Sequence, residues 1–352
     1  KYKSSEAIYW LADEKNAIET TGSLTSFNQT LFDNGGDVEN IVGRPPKLIT
    51  NRASAYGFSW FYPRARSNWM FRHPSGRIYV IWADIDRQLN LWYSDDDGDT
   101  WIKKSVGVDA YYAYDSTLLN NKNIVVSSRK IYEYNSAAES WREPWALDIP
   151  GVLTSYIDKV YIFDESGKRL YWGYFDSGDT SLDYYETVDV LGYYTGDLKL
   201  LKCGNTFYMF IRNSSYYYGT QGNWSSKLDT GWSEGYDGNY DVFCNDNKLY
   251  NVVSYWDSDS NTSTIYFYKG LNGTEEIVAT STTNKFSHPQ IVVSDFGDAY
   301  VFYVDSNAHK LYMRKRNSNG VWENPILLER DVNSVYISHA IHNNKIDYFF
   351  SN

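Results

Sequence analysis

The stretch "YSDDDGDTW", residues 93–101, packs four aspartates and one glycine into nine positions. Its reading decides the fold, because it is either an acidic metal loop or a tight turn. A calcium loop of the EF type needs glycine at its sixth position and glutamate at its twelfth. Here Gly98 comes only three residues after Asp95. A turn accounts for the residue types better. Asp96 can accept hydrogen bonds from backbone N–H groups further along. Gly98 can take a positive φ, and Trp101 opens the next strand with a large ring to bury. A second acidic run, "DSDSNTST" (257–264), starts like a calcium loop but has Tyr268 where the glutamate belongs. No metal and no cofactor are expected.

Working outward from this turn, the chain repeats itself. A polar or glycine turn followed by an aromatic-rich strand recurs as "PSGRIYVIW" (74–82), "NNKNIVVSS" (120–128), "ESGKRLYWGYF" (165–175), "CGNTFYMFI" (203–211), "NDNKLYNVVSYW" (245–256), "DFGDAYVFYV" (295–304) and "HNNKIDYFF" (342–350). The markers lie about 38 to 50 residues apart, the range of four-stranded propeller blades. Each is followed by another strand, such as "QLNLWYS", "STIYFYK" or "KLYMRKR", and then by a turn that often ends near Trp: "GDTW", "AESW", "QGNW", "NGVW". Aromatic residues make up 18% of the chain, with 34 Tyr, 13 Trp and 16 Phe. Such residues suit pleated surfaces, and helical periodicity is not evident.

Seven markers predict an all-β propeller of seven four-stranded blades, forming one domain over 1–352; six blades is the runner-up, because the unit at about 152–190 is irregular. The last marker leaves room for only two strands. The N-terminal residues 6–19, "EAIYWLADEKNAIE", are expected to complete that blade and close the ring. The segment 20–56 has no repeat mate. Its "RPPK" (44–47) argues against a central strand, so it is expected to be a loop or plug.

Ser94, Asp96, Gly98, Thr100 and Trp101 match S-x-D-x-G-x-T-W. This resembles the Asp-box, or BNR repeat, of sialidase-like β-propellers. The match is complete at one place and degenerate elsewhere, as in "RNSNGVW" (316–322). The resemblance implies that the turn joins strands C and D, on the face opposite the site. The D-to-A and B-to-C loops then form the functional face.

Those loops read "YGFSWFYPRARSNW" (56–69), "DAYYAYDS" (109–116), "LGYYTGD" (191–197), "EGYDGNYD" (234–241) and "FSHPQ" (286–290). Aromatic rings beside Asp, Asn and Gly suit sugars, since a ring stacks on the C–H face of a pyranose while polar groups fix its hydroxyls. The binding residues expected are Tyr56, Trp60, Arg64, Arg66, Trp69, Tyr111, Tyr112, Tyr114, Tyr193, Tyr194, Tyr236 and Tyr240. The bland alternative is that Tyr simply fills this protein. Arg129 and Arg212 end B strands and point to the same face. With Arg64, Arg66 and Arg72 they would suit the carboxylates of sialic or uronic acids; the competing reading is surface charge.

The resemblance implies, for a sialidase, three arginines on the substrate carboxylate, a Tyr nucleophile with a Glu, and an Asp acid/base. "FRHP" (71–74) looks like the family's first arginine motif, F/Y-R-I-P, but departs at His73 and stands too near the turn. The other roles find no match. A uronate lyase would need His or Tyr as base with Arg to neutralise the acid. His288 and His339 are the catalytic candidates, with His309 third and Arg72 and Arg212 as basic partners. No full constellation of acid, base and nucleophile stands out. The leading expectation is therefore a glycan-binding propeller of adhesin or receptor-binding type, at a cell or virion surface. A carbohydrate-active enzyme on the same face comes second and a protein–protein scaffold third.

Net charge is −11, from 33 basic and 44 acidic residues. That disfavours nucleic acid and anionic membranes as partners, and no apolar run is long enough to span a bilayer. Sequons stand at Asn28, Asn213, Asn223, Asn261 and Asn272. Cys203 and Cys244 fall near the ends of consecutive A strands, which fits either a disulfide in an extracytoplasmic setting or two buried thiols.

Overall fold

The computed structural model describes residues 8–13, 47–50, 69–83, 88–109, 115–119, 123–127, 131–145, 151–156, 159–164, 169–174, 184–187, 198–211, 215–220, 223–225, 228–229, 240–271, 273–330, 337–342 and 345–351. Every regular element among them is a β-strand. The fold class is the all-β propeller.

Five sheets follow one plan, in which four consecutive strands, A to D, pair antiparallel in chain order. The first sheet is Met70–Arg72, Ile78–Ala83, Gln88–Ser94 and Ile102–Asp109. The second is Asp115–Leu119, Asn123–Ser127, Ile131–Asn135 and Ser140–Trp145, and the third Gly151–Tyr156, Lys159–Asp164, Arg169–Tyr174 and Tyr184–Thr187. The fifth is Tyr240–Asn245, Lys248–Asp257, Thr262–Lys269 and Glu275–Ser281, and the sixth Phe286–Val293, Ala299–Asp305, Lys310–Arg316 and Ile326–Arg330.

Two sheets depart from the plan, and the fourth corrects the expectation of a four-stranded blade. In the fourth, Leu198–Cys203, Thr206–Ile211 and Ser215–Thr220 are regular, but the outer strand is broken into Asn223–Trp224 and Leu228–Asp229, both paired to the third strand. The irregular unit is therefore this one and not 152–190. Gly219 explains the tight turn back, since a Cβ there would meet the Asn223 carbonyl oxygen at 2.4 Å.

The seventh sheet joins the chain ends. Its order is Lys47–Thr50, Ile8–Asp13, Lys345–Ser351, Ile337–His342. The first N-terminal strand lies where it is expected. Its outer partner does not, because it comes from 47–50 within the expected plug and not from 14–19. The position respects the "RPPK" signal, because an edge strand tolerates a nearby proline. The rest of 20–56 lies outside the described residues.

The chain falls into two compact units, Lys1–Arg52 with Ser94–Trp101 and Ser233–Asn352, and Ala53–Tyr93 with Ile102–Trp232. In the first unit, Tyr240–Asn245, Phe286–Val293 and Ile337–His342 lie side by side as the A strands of successive sheets. In the second, Asp115–Leu119, Gly151–Tyr156 and Leu198–Cys203 do the same. One device recurs in both. Asp241 accepts the N–H of Val242 on its own strand (2.8 Å) and of Ile291 on the next sheet's A strand (2.9 Å). Asp115 likewise accepts from Ser116 (2.8 Å) and Leu153 (2.7 Å). A charged acceptor on two N–H groups is stronger than a neutral one, so these buried aspartates pin adjacent inner strands.

Between sheets the alternate residues interdigitate. Tyr250, Val252, Ile265 and Phe267 of the fifth sheet pack on Ile291, Val301 and Tyr303 of the sixth. The opposite face of the sixth, Tyr300, Phe302 and Val304, packs on Ile346 and Tyr348 of the seventh. Tyr161, Phe163 and Trp172 of the third meet Leu200, Phe207 and Met209 of the fourth. Each such ring contributes about 1.5–3 kcal/mol on burial. Cys203 and Cys244 are disulfide-bonded. Among the described residues, no helix is long and apolar enough to cross a membrane, and no group of three or more His, Cys, Asp or Glu is placed to hold a metal.

Candidate functional site

The antiparallel plan sends A–B and C–D turns to one end of a sheet and B–C and D–A connections to the other. At the turn end of the first sheet, the stretch 93–101 closes on itself. The Ser94 hydroxyl donates to Asp96 Oδ1 (2.8 Å) and accepts the Gly98 N–H (2.7 Å). Asp96 accepts the Thr100 N–H (2.8 Å) and hydroxyl (2.6 Å), and Trp101 Nε1 donates to the Gly98 carbonyl (3.1 Å). Gly98 has φ 84°. The hydroxyl and N–H of Thr100 hold the Asp96 carboxyl down at about 2. Ser94 and Asp96 both accept from groups of their own loop, so this part of the acidic run is a turn. Arg72 sits at this same end, buried, with Nη1 donating to the Gly76 carbonyl (3.2 Å). It is removed from the loop end, which corrects its candidacy there.

The loop end is best described in the fifth and sixth sheets. Two B–C turns there begin with aspartate. Asp257 accepts the Asp259 N–H (2.9 Å) and the Ser260 hydroxyl (2.6 Å), and these bonds, the hydroxyl first, lower its pKa. Asp305 accepts the N–H of Asn307 (3.1 Å) and Ala308 (2.9 Å). The acidic run 257–264 is thus a second turn. From these turns Asn261 and Asn307 each donate Nδ2 to the connection between the sheets, to the Thr282 (2.9 Å) and Thr283 (3.0 Å) carbonyls. The Ser306 N–H donates to the Lys285 carbonyl (2.8 Å), and the Phe286 N–H to Ser263 Oγ (2.9 Å). The connection is therefore fixed along its length.

Beside it stands Trp256, half-buried at the end of strand B. Strand alternation puts it on the face of Tyr250 and Val252, toward the sixth sheet. The Lys285 ammonium lies 5.5 Å from its ring centroid. His288 follows in strand A, half-buried, with φ 51° immediately before Pro289. The register shifts between Ser287 and Gln290, so His288 stands in a bulge. A non-glycine residue at positive φ is strained, and bulges re-aim side chains. His309, exposed in the 305–310 turn, has φ 52°.

Two expected binding residues turn inward. Trp69 is 3% exposed and Tyr240 1%, so both are core and not lining. His339 lies opposite Tyr348 in register, on strand A of the seventh sheet. Tyr56, Trp60, Arg64, Arg66, Tyr111, Tyr112, Tyr114, Arg129, Tyr193, Tyr194, Arg212 and Tyr236 lie outside the described residues, as do the sequons at Asn28, Asn213 and Asn272. Asn223 and Asn261 are exposed. Sequence reasoning passed over Trp256, Lys285, Asn261 and Asn307. The parallel turns "DSDSN" and "DSNAH", each on the B–C side, were the available signal.

No protein-family model matches the chain, and no curated protein sequence does. Solved structures do. A candidate 6-phosphogluconolactonase from Bacteroides fragilis NCTC 9343 superposes with a TM-score of 0.52 at 11% identity, over 94% of this chain and 98% of that one. A quinoprotein alcohol dehydrogenase-like protein from Bacteroides thetaiotaomicron VPI-5482 gives 0.50 at 13% identity, over 83% and 70%. At such identities the likeness is one of fold alone, and it agrees with the propeller class.

Proposed function

We propose that the chain is a glycan-binding propeller that takes its ligand at the loop end of the sheets, acting outside the cell or on a virion surface. The observation that carries this reading is Trp256, half-buried beside a connection that Asn261 and Asn307 hold rigid. A partly open indole supplies the stacking surface a pyranose needs, and the exposed Thr282, Thr283 and Ser260 supply hydroxyl partners. Preorganised polar groups keep the ordering cost of binding low. In support of the same reading we take the turn 93–101 as an Asp-box. A glycan panel titrated against intrinsic fluorescence tests it. Saturable binding should fall at least tenfold in Trp256→Ala with melting unchanged. Equal binding by that variant would remove the site from this place.

A second reading, a uronate lyase, is favoured by the strained His288. In it the imidazole removes the proton beside the uronate carboxylate and the glycosidic oxygen leaves with the electron pair, giving an unsaturated sugar. Ultraviolet absorbance appearing with wild type but not with His288→Ala would establish turnover.

A further inference from the structure

Lys310 and Arg330 are directly opposed in register on strands C and D of the sixth sheet, at its loop end. Opposed residues of an antiparallel pair share one face. On strand C that face also carries Tyr312, Arg314 and Arg316, and it is turned to the fifth sheet. Arg316 grips Glu276 there through two 2.7 Å bonds, Arg314 Nη1 donates to the Val278 carbonyl, and Tyr312 packs against the cluster of Tyr250 and Val252. The turn-end cations of this seam are thus engaged.

The loop-end cations differ. Among the described residues no ion pair reaches Lys310 or Arg330, although both are half-buried. Arg330 Nε is buried and has no acceptor. Two acidic groups are close, and both are committed to backbone. Asp305, opposite Lys310, accepts the N–H groups of its own turn, and Glu329 Oε1 accepts the Arg330 N–H at 2.7 Å. Burial raises the pKa of the Tyr312 phenol, Asp305 adds to this and Arg330 opposes it, so these groups share one neighbourhood. Across the seam, Trp256 and Lys285 stand at the same end. Adjacent cations without carboxylate partners, in a protein of net charge −11, suit an anion brought from outside.

We propose that Lys310 and Arg330 form an oxyanion subsite that takes the carboxylate of an acidic sugar whose ring lies on Trp256. This rests on the glycan-binding reading above. The Arg330 guanidinium turns to present Nε and one Nη as a fork, and Lys310 supplies a second donor from the neighbouring strand. No bond is made or broken.

The test compares a short polyglucuronate oligomer with the same oligomer reduced at its carboxyls, using wild type and the double variant Lys310→Gln/Arg330→Gln. Charged hydrogen bonds of this kind are worth roughly tenfold or more in affinity. The wild type should therefore prefer the acidic oligomer by about that factor. The double variant should bind both oligomers at the wild type's neutral-sugar level and melt as the wild type does. Equal affinity of wild type for the two oligomers, or a preference surviving in the variant, overturns the proposal. Inorganic sulfate separates the remaining failures. If neither oligomer binds but sulfate raises the melting temperature of wild type and not of the variant, the sugar is wrong and the oxyanion site stands. If sulfate also has no effect, the site itself is refuted.

Discussion

The turns after strand C in the first and sixth sheets both lead to a tryptophan, Trp101 and Trp322, and they are held in different ways. In the first, Ser94 and Asp96 satisfy the backbone of the turn and Trp101 Nε1 returns to Gly98. The second satisfies itself only in part. Asn317 accepts the Val321 N–H with its side chain (3.0 Å) and the Gly320 N–H with its carbonyl (2.9 Å). The Ser318 N–H goes to Asp298 (2.8 Å), and Trp322 Nε1 reaches out to Glu276 of the fifth sheet (2.9 Å). There Glu276 also takes both Arg316 bonds, and the Arg316 guanidinium lies 5.3 Å from the Phe267 ring centroid. The complete motif thus marks a turn whose Ser, Asp and Trp bond locally. A degenerate one marks a turn that fastens two blades together.

The largest effect should come from the fastening. Glu276→Ala leaves Arg316 and the Trp322 N–H facing no acceptor, and Trp322→Ala removes the ring packed edge-on against Phe267 at 5.5 Å. Both sites are partly exposed, so each change should cost about 2–3 kcal/mol, read as a lower urea midpoint at unchanged slope. A cost below about 0.5 kcal/mol would erase the distinction between the turns. The glycines should give the next largest effect. Gly98 and Gly320 have φ of 84° and 90°. Alanine at either pays about 1–2 kcal/mol for that conformation. At Gly320 the new Cβ would also stand 3.0 Å from Arg316 Nη2. Gly320→Ala should therefore cost somewhat more than the backbone conformation alone, and less so in a Glu276→Ala background.

Asp96→Ala should have the smallest effect, about 1 kcal/mol, because the carboxylate is exposed and its bonds are local. Its pH dependence sharpens the comparison. The folded pKa is lowered to about 2 from 3.8, so the contribution is present above pH 4 and fades as pH falls toward 2. The gap between wild type and Asp96→Ala should close over that window in acid melts. Burial alone would raise the pKa of Glu276, but the Arg316 and Trp322 bonds outweigh it and the pKa is lowered. The Glu276→Ala gap should likewise shrink below the ordinary glutamate range.

The blade repeat was legible because each unit writes the same order of turn, aromatic strand and turn. The turn at 93–101 was legible because Asp96 and Gly98 act within a few residues of themselves. What depended on distant partners was not. Nothing in residues 14–19 says that Lys47–Thr50 will take the outer place beside Ile8–Asp13, because an edge strand is chosen by closure of the chain and not by its own pattern. The break in the fourth sheet's outer strand leaves no pattern in its own residues. Trp69 and Tyr240 were misjudged by residue type, since an aromatic at a strand's start belongs to the face its phase assigns, and Tyr240 is in phase with buried Val242. Trp256 was passed over for the same reason in reverse. It sits at the open end of a core-facing row.

The seventh sheet has a bearing on how the protein is made. Ile8 pairs with Ser351, so during synthesis this strand waits for an inner partner that lies far along the chain. Until then Ile8–Asp13 has an unpaired edge, and such edges recruit other chains. Loop closure over so long a chain adds entropy only logarithmically, so the finished sheet gives up little stability for this arrangement. The difficulty lies in timing. Slow synthesis or a crowded cell should tax this protein through aggregation of unfinished chains, long before it troubles the folded one.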